Sequence, residues 1–249
     1  MNIVVDDLLV RYEVKGVGKS VVLLHGWGDS LQGLAQLQTQ LAKTYQVISL
    51  DLPGFGASQA PAEIWDLDNY TTFLAHFLQK IDCQAYAIIG HSNGGALAIK
   101  AIGSGALQPA KLILLAASGI RNHQSAKRQA LQVIAKTGNA ATFWLPSSTR
   151  AGLRRKLYGA VGSDLLVVEH LQETFKKTVR QDVRADAARI TIPTLLVYAD
   201  KDAAVPLADG KTYQRLIAGS RLEIISGASH FLHLDEPAKV SLLIAAFIQ

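Results

Sequence analysis

The segment Gly90-His91-Ser92-Asn93-Gly94-Gly95 is the most informative about the fold, because it joins a strand pattern to a helical pattern with almost no loop between them. Residues 85–89 are typical of a strand, and the residues after Asn93 have the spacing of a helix. Only small neighbours fit beside a serine on so sharp a turn, and Gly90 and Gly94 provide them. The pattern is G-x-S-x-G, which places the Ser92 hydroxyl at a helix N-terminus, where free N–H groups favour negative charge.

Short apolar strands alternate with helical patterns on both sides of this turn. The predicted strands are 8–14, 21–25, 46–51, 85–90, 112–116, 194–198 and 222–225, and the predicted helices lie near 31–43, 69–81 and 93–102, from 206 and from 237. Continuous apolar strands between helices are buried on both faces. The order therefore predicts an α/β fold with a mostly parallel sheet covered by helices on both faces.

The alternation is interrupted between residues 120 and 186, where only helical or irregular patterns rich in Lys, Arg and Gln occur. Residues 121–186 hold 12 Lys+Arg against 5 Asp+Glu, whereas the rest of the chain holds 13 against 15. The basic surplus of the chain thus belongs to one segment. We expect a core domain formed by residues 1–119 and 187–249, with residues 120–186 as a helical cap or lid insertion.

Composition excludes several other classes of protein. A chain of 249 residues with the single cysteine Cys83 forms no intramolecular disulfide, so a reducing cytoplasm is the expected location. The opening residues 1–16 lack a basic region before an apolar run, and no stretch of about 18 apolar residues occurs. We therefore expect neither a signal peptide nor a membrane span, and the net charge of +5 is too localised to indicate a nucleic-acid partner.

Three further segments accompany the Ser92 turn. They are Val21-Val22-Leu23-Leu24-His25-Gly26-Trp27-Gly28, Asp51-Leu52-Pro53-Gly54-Phe55-Gly56-Ala57-Ser58 and Gly227-Ala228-Ser229-His230-Phe231. Their joint order resembles the α/β-hydrolase superfamily over nearly the whole chain outside the insertion. The resemblance implies the α/β-hydrolase fold, with a helical cap, and the chemistry of a serine esterase.

The resemblance assigns a Ser–His–Asp triad. Ser92 is the expected nucleophile, and His230 is the expected base because it follows the last strand in the order Ser, Asp, His. The acid has two candidates, Asp200 and Asp202, in the segment that leads to Val205-Pro206. Asp202 fits the family register before Val-Pro and is preferred, with the role of orienting His230 and stabilising its imidazolium form.

The oxyanion hole implied by the resemblance consists of two backbone N–H groups, those of Trp27 and Asn93. His25 flanks this site, where it would brace the oxyanion loop, and we group it with the substrate-binding residues. Phe143 and Trp144 in the insertion are expected to line an acyl pocket, although they would equally suit a small core within the cap. His91 is expected to pack within the turn.

These residues predict hydrolysis of carboxylic esters through an acyl-enzyme. The alternatives are a C–C bond hydrolase of the meta-cleavage product type and a hydrolase-derived ligand receptor. We expect no cofactor, because Gly16-Val17-Gly18-Lys19-Ser20 runs into a strand and not a helix, and no metal, because no H-E-x-x-H pattern occurs.

The expected partner is a small-molecule ester. The segments around Trp27 and Phe55 resemble those of pimeloyl-carrier-protein methyl ester esterases, whose basic cap receives an acidic carrier protein. We therefore hypothesise that the insertion of this chain also receives an anionic or carrier-protein-bound ester. The basic residues on which this hypothesis rests are Arg150, Arg154, Arg155 and Lys156. A monomer or a homodimer is expected.

Overall fold

The computed structural model describes residues 1–121 and 169–249. Its centre is an eight-stranded sheet with the order β1-β2-β4-β3-β5-β6-β7-β8. The strands are β1 (Asn2–Val5), β2 (Leu8–Lys15), β3 (Ser20–Leu24), β4 (Gln46–Leu50), β5 (Ala87–His91), β6 (Lys111–Leu115), β7 (Thr194–Ala199) and β8 (Arg221–Ile225). The pairings of β2 with β1 and with β4 are antiparallel, and the others are parallel. The predicted mostly parallel sheet is confirmed, and β1 is an addition to it.

Helices connect the strands. They are α1 (Ala35–Leu41), α2 (Leu67–Lys80), α3 (Asn93–Gly103), α4 (Gln172–Thr178), α5 (Arg184–Ala187), α6 (Leu207–Leu216), α7 (Leu232–Asp235) and α8 (Pro237–Ile248). Short 3₁₀ turns at Leu31–Leu34 and Glu169–Leu171 precede α1 and α4. None of the helices in the described part of the chain is long and apolar enough to cross a membrane.

The helices cover both faces of the sheet, because successive strand residues point to opposite sides. Val22 and Leu24 pack in the core beneath α2, α3 and α6. Val21 and Leu23 pack in the second core, beneath α1 and α8. All four side chains are fully buried. The continuous apolar character of β3 follows from this two-sided burial.

The C-terminal part of the predicted insertion lies against the N-terminal end of α2. The Thr174 hydroxyl accepts a hydrogen bond from the Trp65 amide at 3.2 Å, and the Gln181 side chain accepts one from the Leu67 amide at 2.7 Å. Lys177 adds an ion pair with Asp66 at 3.0 Å. The rest of the insertion, including the predicted substrate-binding residues Phe143 and Trp144, lies outside the described residues.

Candidate active site

Ser92 occupies the turn between the end of β5 and the start of α3. Its φ of 52° and ψ of −117° lie in a region that a residue with a Cβ rarely adopts, so the turn is strained. The close approach of strand and helix depends on the flanking glycines. A Cβ at Gly90 would lie 2.5 Å from the Gly94 carbonyl oxygen, and one at Gly94 would lie 2.4 Å from that of Leu24. Both positions therefore require glycine for lack of space.

Backbone hydrogen bonds hold the strained turn in place. The Ser92 amide donates to the Leu115 carbonyl at 3.0 Å, at the end of β6. The Ser92 carbonyl accepts from the Ser118 amide, also at 3.0 Å. The backbone of the nucleophile candidate is thus held on both sides of its Cα, by the last residue of β6 and by the segment that follows it.

The structure brings Ser92, His230 and Asp202 together at the carboxyl ends of β5 and β7. His230 Nδ1 lies 2.7 Å from Asp202 Oδ2, and His230 Nε2 lies 2.9 Å from Ser92 Oγ. A carboxylate only accepts, so Nδ1 carries the proton and donates to Asp202. The Nε2 atom of the neutral ring is then free to accept the Ser92 hydroxyl proton. The arrangement suits proton removal from Ser92 by His230.

Asp202 is held rigidly by its own loop. Its Oδ1 atom accepts hydrogen bonds from the backbone amides of Ala204 and Val205, at 2.7 and 2.8 Å. Its side chain is fully buried. The remaining oxygen, Oδ2, is thereby directed to His230, so the Asp202 carboxylate has one orientation available.

Asp200, the second acid candidate, is directed elsewhere. Its Oδ1 accepts from the Gly227 amide at 2.7 Å and its Oδ2 accepts from the Ser226 hydroxyl at 2.9 Å. The Asp200 carboxyl is exposed, and these hydrogen bonds lower its pKa, with the bond from Gly227 as the largest cause. Asp200 therefore supports the turn that leads to His230, without contacting the imidazole.

The two predicted oxyanion residues flank Ser92. Asn93 is the first residue of α3, so its N–H has no partner within the helix. Trp27 follows Gly26, whose backbone approaches so closely that a Cβ there would lie 3.2 Å from the Ser92 Cβ. No backbone acceptor for either amide occurs in residues 1–121 and 169–249. Two free donors beside Ser92 suit a developing oxyanion.

His25 has the environment of a bracing residue. It is fully buried. Its Nε2 accepts from the Leu52 amide at 3.0 Å, so its Nδ1 carries the proton and donates to the Gly26 carbonyl at 2.8 Å. Burial lowers the pKa of His25, which keeps the ring neutral. With both nitrogens occupied and no exposed surface, His25 fits the bracing role expected of it beside Gly26 and Trp27, whereas its grouping with the substrate-binding residues stays a prediction.

Two more histidines lie beside His230. The His91 ring centroid is 4.9 Å from that of His230 and 4.6 Å from that of His233. Both His91 and His233 are buried, and burial is the main cause that lowers their pKa values. Among residues 1–121 and 169–249, neither His233 nitrogen has a hydrogen bond of standard geometry, and a backbone interaction with Gly33 partly opposes the lowering of its pKa. Sequence reasoning missed this cluster, because residues far apart in the chain form it.

An aromatic cluster lies next to the oxyanion loop. The Trp27 ring packs edge-on against Phe55 at 4.8 Å and tilted against Phe175 at 5.0 Å between centroids. Phe175 belongs to α4, in the predicted insertion, and no local pattern singled it out. The described end of the insertion therefore contacts the residue that carries one predicted oxyanion donor.

The described residues contain no group of three or more His, Cys, Asp or Glu side chains suited to holding a metal ion.

Comparisons with known proteins agree with this fold. Residues 21–241 match the profile of the alpha/beta hydrolase family, and the chain therefore belongs to that family. It is similar to a putative non-heme chloroperoxidase from Synechocystis, with 26% identity over 267 residues that cover 96% of this chain and 95% of the relative.

Solved structures show the same fold. An esterase from Exiguobacterium antarcticum matches with a TM-score of 0.77 and 23% identity, covering 99% of this chain and 98% of the other. A meta-cleavage product hydrolase from Pseudomonas fluorescens matches with a TM-score of 0.76 and 20% identity, covering 99% and 96%. The three proteins differ in activity, so membership of the family leaves the reaction to be argued from the site.

Proposed function

We propose that the protein is a serine hydrolase that cleaves carboxylic esters through an acyl-enzyme. One observation carries the proposal: the hydrogen bonds from Ser92 Oγ to His230 Nε2, at 2.9 Å, and from His230 Nδ1 to Asp202 Oδ2, at 2.7 Å. This pair of hydrogen bonds makes a weakly nucleophilic hydroxyl reactive, because the imidazole takes the hydroxyl proton as the bond between oxygen and carbon forms.

In the first half-reaction, Ser92 Oγ attacks the ester carbonyl while His230 Nε2 accepts the hydroxyl proton. The negative charge that develops on the carbonyl oxygen is stabilised by the amides of Trp27 and Asn93. Asp202 stabilises the imidazolium without taking its proton. The tetrahedral intermediate then collapses, the bond to the alcohol oxygen breaks, and His230 donates its proton to the leaving alcohol.

In the second half-reaction, water replaces the alcohol. His230 takes a proton from the water, whose oxygen attacks the acyl carbon, and the bond between that carbon and Ser92 Oγ breaks. The proton returns to Ser92, and the carboxylic acid leaves. The same donors stabilise both tetrahedral intermediates, so no further group is required.

The insertion is proposed as a cap, residues 120–186, over a core of residues 1–119 and 187–249. Within it, residues 121 and 169–186 hold 5 Lys+Arg against 4 Asp+Glu, so the basic surplus belongs almost entirely to residues 122–168. We propose that this surplus favours an anionic or carrier-protein-bound ester over a neutral one. The proposed setting is the cytoplasm, with the protein as a monomer or a homodimer.

Charge reversal tests the role of the cap. Arg154→Glu with Arg155→Glu should lower kcat/KM for a carrier-protein-bound ester by about tenfold or more, as for other charge-steered encounters, and added salt should lower the wild-type value. Hydrolysis of a short neutral ester is the control and should be unchanged. Equal turnover of both substrates, insensitive to these substitutions, would refute the role of the cap while leaving the esterase proposal intact.

A second activity is suggested by the similarity to the Synechocystis relative described as a putative non-heme chloroperoxidase. Hydrogen peroxide in place of water would attack the acyl-enzyme, so that the bond to Ser92 Oγ breaks and a peracid leaves. The triad needs no redox partner for this step, because peroxide supplies both oxygens of the new group.

A panel of esters with graded acyl length, run with and without hydrogen peroxide, tests these reactions together. The proposal expects many turnovers per protein molecule, with a preferred acyl length. Peracid formed at the expense of the acid would support the second activity. A single turnover, or cleavage of a vinylogous diketone in preference to every ester, would instead support the receptor or the C–C hydrolase alternative.

A further inference from the structure

The loop that carries His230 packs against the ring of His91. The His91 Nε2 atom lies 3.0 Å from the backbone carbonyl oxygen of His230, although the two residues are 139 positions apart in the chain. The same ring packs against the rings of His230, Phe231 and His233, with centroids at 4.9, 5.7 and 4.6 Å. The residue before the nucleophile therefore contacts three of the four residues of the segment 230–233.

The direction of the hydrogen bond follows from the chemistry of its partners. A carbonyl oxygen only accepts, so His91 Nε2 carries the proton and donates. The other nitrogen, Nδ1, is buried and has no hydrogen-bond partner among the described residues; it faces Gly26, where a Cβ would lie 3.0 Å from it. A proton on Nδ1 would be a buried donor with no acceptor. Burial accordingly keeps the pKa of His91 well below its ordinary value, and the ring stays neutral.

We infer that His91 is a positioning residue that sets the distance between the nucleophile and the base. The inference rests on the proposed roles of Ser92 and His230. His91 and Ser92 are adjacent in the chain, and His230 is bonded to both: its carbonyl oxygen accepts from His91, and its Nε2 contacts Ser92 Oγ at 2.9 Å. The two hydrogen bonds and the intervening covalent bonds close a ring of atoms. The backbone of His230 therefore cannot move away from the Ser92 turn without breaking the bond to His91, and this fixes the base from which its imidazole reaches Ser92.

Three substitutions distinguish the effect of this hydrogen bond from the effect of the packing of the His91 ring. His91→Phe keeps a planar ring and removes the donor, whereas His91→Gln places an amide N–H close to the position of Nε2. His233→Phe is the matched control, because His233 lies in the same cluster and, in the described part of the chain, has no hydrogen bond of standard geometry. Replacing an unpaired buried polar ring with an apolar one of similar shape should be nearly neutral.

For a preferred ester, His91→Phe should lower kcat by about 10- to 100-fold with KM within about twofold, since a displacement of about 1 Å from the reactive geometry has effects of that size. His91→Gln should restore kcat to within about threefold of wild type, and His233→Phe should leave it unchanged. If His91→Phe does not fold, His91→Met removes the donor with a more adaptable side chain. Equal losses in His91→Phe and His233→Phe, or no recovery in His91→Gln, would overturn the inference.

A measurement without substrate keeps this test separate from the proposed function. The proton between His230 Nδ1 and Asp202 Oδ2 gives a low-field resonance in proton NMR when that bond is short and ordered. The resonance should be present in wild type, His91→Gln and His233→Phe, and broadened or shifted in His91→Phe. A protein that hydrolyses no ester yet shows this pattern would refute the proposed function alone. An unchanged resonance in His91→Phe would refute the positioning role alone.

Discussion

Asp200 and Asp202 lie two residues apart, yet their carboxylates have separate tasks. Asp202 is buried and directed to His230 by the amides of Ala204 and Val205. Asp200 is exposed and accepts from Ser226 and Gly227. A carboxylate stabilises an imidazolium only when it contacts the ring nitrogen that carries the proton. The proposed triad therefore depends on one of these two residues.

We expect Asp202→Asn to lower kcat by about 10³- to 10⁴-fold, because an amide in that position favours the wrong tautomer of His230. Asp200→Asn is the matched control and should lower kcat by less than about threefold, since its amide oxygen still accepts from Gly227. Steady-state kinetics on one ester give both values. Comparable losses in the two variants would show that the acid is misassigned.

Sequence reasoning could separate these two carboxylates because the family register before Val205-Pro206 is local. It could not predict the hydrogen bond between His91 and His230, because no local pattern relates residues 139 positions apart. The same limit applies to the hydrogen-bond partners of His25, whose bracing role was predicted without them. Its two bonds, to Gly26 and Leu52, depend on how β3 and β4 lie side by side.

The hairpin between β1 and β2 has a turn whose residues differ from the usual pair. The pairing of Val5 with Leu8 leaves Asp6 and Asp7 as a two-residue turn, with φ values of 49° and 62°. Positive φ at both positions is typical of a type I′ turn, in which Asn-Gly and Asp-Gly are the usual pairs. An Asp-Asp turn lacks the glycine that marks such hairpins, and β1 was missed in the sequence for this reason.

Asp7→Gly should stabilise the protein by about 0.5–1 kcal/mol, because glycine adopts a positive φ without steric strain. For a chain of this size the melting temperature should rise by roughly 1–4 °C. Asp7→Ala is the control and should lower it, since alanine has neither the freedom of glycine nor the polar side chain of aspartate. A lower melting temperature for Asp7→Gly than for wild type would contradict the assigned turn.

The strands and helices that frame the site were predictable for a different reason. β3, β5, β6 and β7 are buried on both faces and read as continuous apolar runs. The helices on each face have apolar residues at helical spacing, which form an apolar stripe along one side of the helix. The position of α4 beside the N-terminal end of α2 was not predictable. It depends on hydrogen bonds that the side chains of Thr174 and Gln181 accept from backbone amides.

Three buried histidines around the candidate site influence the stability of the whole molecule. Burial lowers the pKa values of His25, His91 and His233 below 6.5. In the unfolded chain these rings would take up protons near pH 6.5, whereas in the folded chain they would not. The unfolded state therefore binds more protons, so the free energy of unfolding falls as the pH drops below about 6.5.

Urea unfolding between pH 7.5 and pH 5 should show this loss, with each histidine contributing a slope of at most about 1.4 kcal/mol per pH unit. His233→Phe removes one of the three rings and should make the slope shallower. A free energy of unfolding that stays constant across this range, or a slope unchanged in His233→Phe, would contradict the neutral state assigned to the buried rings.

The family, the fold and the meeting of Ser92, His230 and Asp202 together support one central claim, that Ser92 is the nucleophile of an esterase. Ser92→Ala, assayed on the best ester of the graded panel, tests that claim most directly. Because triad residues act as a unit, we predict a loss in kcat of about 10⁴-fold or more, with the folded structure retained by circular dichroism. Turnover within tenfold of wild type by folded Ser92→Ala would show that Ser92 is not the nucleophile.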